Sequence, residues 1–147
     1  MRRSLFAIAM AAILLGAGTG VVRAGSLADV VIIVHPSQTQ SAIAIDELTK
    51  LFLKKTTTWS HGAAVDPIDQ AAESPVKALF AEVVLGKKVS AINSYWQQQV
   101  FSGQGIPPEV KATDAEVVSY VKTHANAIGY VSTGTAVDGV KVLTVTK

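Results

Sequence analysis

The side chains able to do covalent or metal chemistry are few and scattered. There is no cysteine in the 147 residues, which excludes thiol catalysis, a disulfide framework and cysteine-held metal. Three histidines remain, with His35 at the end of an apolar run, His61 in a turn-rich stretch and His124 near a helix end. No two have the i, i+4 spacing of a helical zinc site, and each reads as structural. No G-x-S-x-G is present, so no serine is marked as an elbow nucleophile. Carboxylates are plentiful, but nothing in their spacing brings two of them together. The expectation is a protein that is not an enzyme and holds no metal or cofactor. The more telling residues are Ser74-Pro75. A helix beginning there presents unpaired N–H groups and a positive dipole end, to which the hydroxyl adds a donor, and this is a place for an anion. The Ser37–Ser41 loop supplies further hydroxyls and an amide, without a pattern of its own.

The elements that must position these residues are legible from periodicity. Asp29 to His35 carries five successive β-branched apolar residues, which implies a strand covered on both faces and halted by Pro36. Asp46 to Leu53 is a short helix with acidic residues in its first turn. Val65 to Ile68 is a short strand in which Pro67 points to an edge or a bend. Ser74 is the expected N-cap and Pro75 the first residue of a helix. Its Val76, Leu79, Phe80, Val83 and Val84 form the inner face, and Gly86 ends it. Ser90 to Phe101 is a third helix, with Ile92, Tyr95, Trp96 and Val100 turned inward and the aromatics Tyr95, Trp96 and Phe101 read as core. After a Gly/Pro loop over 102–108, the capping box Thr113-x-x-Glu116 opens a fourth helix. Strands Ala127 to Val131 and Lys141 to Val145 close the chain. This order implies an α/β domain with a mixed sheet flanked by helices.

The amino-terminal residues belong to a different category. Arg2 and Arg3 precede an apolar run from Leu5 to Leu15, followed by Val22-Arg23-Ala24, the pattern of a secretory signal peptide cleaved before Gly25. The alternative is an uncleaved anchor, against which the run is short of the ~20 residues a spanning helix needs. Removing 24 of the 147 residues leaves 123, enough for one domain over residues 25–147. Three arginines leave with the peptide and turn a net charge of +2 into −1, so no basic surface speaks for nucleic acid. The expected location is the periplasm or otherwise outside the cell.

Beyond these local readings, DELTKLFLKKTTTWSHGAAVDPID, EVVLG, SYWQQQVFSGQGIPP and NAIGYV occur in an order that resembles the phosphate-binding proteins of ABC transporters, and more closely their short single-lobe members. Leu48 to Trp59 and Asn126 to Val131 carry the likeness most clearly, and it spans roughly residues 29 to 145. The resemblance implies one lobe of a periplasmic-binding-protein-like fold, acting by non-catalytic capture of phosphate or a similar oxyanion. Two-lobed members of the family hold phosphate with an Arg, a Ser-Gly-Thr and an Asp around the start of the helix that here begins at Ser74. On that correspondence Ser74 is the serine, Gln70 stands at the arginine, Ala72 at the aspartate, and Pro75-Val76 replace Gly-Thr. The ligand residues implied are therefore Ser74, Gln70 and Val76. A glutamine lacks the guanidinium fork, Glu73 adds negative charge, and the family's second lobe has no counterpart here. These departures argue against tight capture by this lobe alone. They leave a second reading, an interaction module that kept the fold and docks on a periplasmic or membrane protein or on a second copy.

Overall fold

Five β-branched residues in a row have no polar face to give to water, and the chain places them where none is needed. The computed structural model describes residues 25–147, so the signal-peptide reading of residues 1–24 lies outside the described residues. Strand β1 (Val30–Val34) lies inside a six-stranded sheet of order β2-β6-β1-β5-β3-β4. Its companions are β2 (Ala42–Ala44), β3 (Asp66–Gln70), β4 (Glu109–Lys111), β5 (Ala127–Ser132) and β6 (Lys141–Thr146). β1 runs antiparallel to both neighbours, with Val30 opposite Ser132 and Ile32 opposite Leu143. β2 on β6, and β3 on both β5 and β4, are parallel pairs. The sheet is mixed, as expected for an α/β lobe.

Helices cover both faces. Alternate residues of β1 divide between two cores, as the two-residue period of a strand requires. Ile32 and Val34 join Leu48, Phe52, Trp59, Phe80 and Tyr130 on the side of α1 (Ile45–Phe52) and α2 (Pro75–Val83). Ile33 joins Ile68, Val117, Val121 and Val131 beneath α4 (Asp114–Thr123). α3 (Val89–Phe101) packs outside α2, through Ile92 and Trp96 against Leu53 and Ala81.

Several local expectations change. β3 is second from the edge, not at it, and Pro67 is accommodated by a gap in pairing. Asp66 donates its N–H to Asn126 on the β5 side at 2.8 Å, so the next N–H position faces the other way. There β4 pairs only from Ile68 onward, and proline's missing donor leaves no ladder bond unmade. β2 and β4, three residues each, are too short to show a period, and the sequence reading passes over both. On α3, Ile92 and Trp96 are buried, but Val100 is 53% and Phe101 95% exposed, because the helix runs past the body it packs on. Phe101 is therefore a surface residue, not core.

Candidate functional site

α2 starts at Ser74 and Pro75, yet the serine does not cap the helix with its side chain. Its hydroxyl donates instead to Gln70 Oε1 at 2.9 Å. Gln70, at the end of β3, is 1% exposed. Its amide nitrogen donates to Asp114 Oδ1 at 2.7 Å and to the Tyr130 carbonyl at 2.8 Å. Two acceptors on one side and a hydroxyl on the other settle which way the amide is turned, and every donor of the Gln70 side chain has a partner within the protein.

Asp114 comes from the first turn of α4, whose N-cap is Thr113, accepting from the Glu116 N–H at 3.2 Å. Its second oxygen takes the Ser132 N–H at 3.2 Å and the Thr135 hydroxyl at 2.8 Å. Burial by itself raises the carboxyl, but the hydrogen bonds from Gln70, Thr135 and Ser132 outweigh it and hold Asp114 below the usual carboxylate range. On the other side of Gln70, Asp69 accepts the Gln70 backbone N–H at 2.8 Å, the Tyr130 hydroxyl, and Lys77 Nζ at 2.8 Å. Burial and the adjacent Asp69 carboxylate push the Tyr130 phenol far above its ordinary range, so it stays a neutral donor. Its ring lies flat on Phe80, with centroids 3.9 Å apart, which fixes the hydroxyl over the end of β3.

The result is an open cleft of about 360 Å³ between the first turns of α2 and α4, lined by Gln70, Glu73, Ser74, Thr113, Asp114 and Ser132 among others. Its donors are the kind that hold an oxyanion. Its charges are not, since Glu73 and Asp114 line it and no lysine or arginine does among the described residues. The structure brings Ser74 and Gln70 into contact and leaves Val76 out. The Val76 side chain is 2% exposed in the α2 core, which reduces its possible part to the backbone N–H. Ala72 is exposed and lines a different cavity. Asp114, Thr113 and Ser132 were missed. The Thr113-x-x-Glu116 box signalled a second helix start, but it is the parallel β3–β4 pairing, with Gln70 opposite Lys111, that carries that start to Ser74.

The other candidates do not reach the cleft. His35 Nδ1 contacts the Ser37 hydroxyl at 2.7 Å, and His124 stacks on Tyr120 with centroids 3.7 Å apart. Trp59 is buried with exposed His61 beside it. Among the described residues no three histidine, aspartate or glutamate side chains cluster as metal ligands.

No protein-family model and no curated protein matches the sequence. Solved structures do match. A phosphate ABC transporter substrate-binding protein of Clostridium perfringens, with bound phosphate, superposes with a TM-score of 0.65 at 19% identity, over 80% of this chain and 44% of its own. An ABC-type phosphate transport receptor of Vibrio cholerae gives 0.62 at 15%, over 80% and 46%. PstS of Borrelia burgdorferi gives 0.62 at 17%, over 81% and 47%. The chain thus has the fold of part of a phosphate ABC transporter substrate-binding protein, and it spans less than half the length of these three structures.

Proposed function

We propose that the protein is a non-catalytic solute-binding lobe, exported to the periplasm, whose ligand is phosphate or a similar small oxyanion held in the Ser74 cleft. The observation that carries this reading is the meeting of two helix first turns and the Ser74 hydroxyl at one cleft, where N–H donors and dipole ends favour an anion. The phosphate-binding proteins that share the fold support the ligand class. Binding is weak, because Asp114 and Glu73 oppose an arriving anion and Gln70 has no donor to spare. Calorimetric titration with phosphate and with sulfate tests it. Saturable binding is expected, weakened about tenfold by Ser74→Ala, because the hydroxyl turns from Gln70 Oε1 to the anion on binding and the variant lacks that charge-assisted hydrogen bond. Absence of both heat and thermal shift at millimolar anion would overturn it.

A second reading, an interaction module, is favoured by the exposed Val100, Phe101 and Ile106. It requires a self-association or a captured partner that Phe101→Ser abolishes, read by light scattering and by pull-down.

A further inference from the structure

A larger cavity of about 660 Å³ lies between α3, the 102–108 loop and β4, and it shares only Gln70 with the Ser74 cleft. Its size is in the range that takes small molecules. Most of its wall is apolar, from Trp96, Val100, Phe101, Pro107 and Val110. The polar end is the Lys77–Asp69 pair, 2.8 Å apart, with side chains 10% and 14% exposed.

The hydrogen-bond inventory at that end is unbalanced. An ammonium has three donors, and Lys77 uses one, toward Asp69 Oδ2. Asp69 Oδ1 already accepts Gln70 N–H and the Tyr130 hydroxyl, whereas Oδ2 accepts only from Lys77. So two ammonium N–H donors and one side of Oδ2 have no partner among the described residues, on two side chains that line the cavity. Unused donors on a group this buried are costly unless something fills them.

Charge narrows the occupant. Among the described residues, Asp69 and Lys77 are the only charged side chains lining the cavity, and they cancel. An anionic head group would lie against Asp69 and a cationic one against Lys77. A carboxamide fits both, its carbonyl accepting from Lys77 and its N–H donating to Asp69 Oδ2. We infer that this groove binds a neutral amide carrying an apolar side chain, the chemistry of a hydrophobic residue in a short uncharged peptide. The amide head sits on the Lys77–Asp69 pair, and the side chain lies between Trp96 and Phe101. The exposed carboxamides of Asn93 and Gln97, on the rim, suit the same ligand.

The test is a titration of the full protein with N-acetyl-leucinamide, followed by tryptophan fluorescence, because Trp96 lines the groove and Trp59 is buried elsewhere. N-acetyl-leucine and leucinamide serve as anionic and cationic analogues of the same side chain. A saturable change with the neutral amide is expected, with either charged analogue at least about tenfold weaker. Lys77→Met should weaken binding about tenfold or more. Because that substitution also strands Asp69, Phe101→Ala is the second variant, at a position whose 95% exposure spares the fold, and it should lower affinity about fivefold. Inorganic phosphate should not compete. No saturable change, tighter binding of a charged analogue, unchanged affinity in Phe101→Ala or competition by phosphate would each overturn the inference. So would a dimer that Phe101→Ala dissolves, since a second copy would then be the occupant.

Discussion

Asp114 is an anion that the protein has already bound. Its two oxygens take an amide, a hydroxyl and a backbone N–H from Gln70, Thr135 and Ser132, the set of donors an incoming oxyanion would seek. Replacing it with asparagine removes a like charge from the cleft, and phosphate affinity should rise about tenfold. Stability should fall in the same variant by about 1–3 kcal/mol, because a charged acceptor of three hydrogen bonds is lost. Calorimetry and urea denaturation read the two effects separately. The depressed carboxyl carries a pH signature as well. Its stabilisation is fully present above the unfolded value of about 3.9 and is lost as pH falls from there through the lower folded value. Denaturation midpoints should therefore drop below about pH 4 in the native protein, and less steeply in Asp114→Asn.

At the level of elements, the close approach of β5 to α4 depends on Gly129. A Cβ there would lie 2.6 Å from Val117 Cγ1, a stiff buried side chain with little room to move. Gly129→Ala should cost about 1–3 kcal/mol by overpacking, seen as a lower urea midpoint with an unchanged slope. The elements legible in the sequence were those with a strong local signal. β1 showed its unbroken apolar run, α2 its Ser-Pro start, and α4 its Thr113 cap, and each lies within a residue or two of its expected place. Where burial depends on a distant neighbour, the signal failed. Phe101 has the spacing of a core residue, yet nothing local says that α3 outruns its support. The candidate site divides in the same way. Ser74 was legible as a helix start and Gln70 joined it only through the family resemblance, whereas Asp114 and Ser132 reach them through the order of strands. Ser74 itself was recognised for a capping role that its hydroxyl gives up to Gln70.

Across the whole molecule, the sheet joins the ends of the described chain at its middle. β6 is a neighbour of β1 and the partner of β2, so a chain stopped before Lys141 should show no cooperative melting by circular dichroism. Pairings such as Val30 with Ser132 close long loops, and refolding should be slow for so small a domain, on the order of milliseconds to seconds in stopped flow. The central position of β1 also sets a schedule for synthesis. The strand that anchors the sheet leaves the ribosome about a hundred residues before either of its neighbours. Until β5 and β6 follow, an apolar segment with no sheet to enter must be kept from aggregating. The nascent chain therefore carries that segment unpaired for as long as its last strands are unmade.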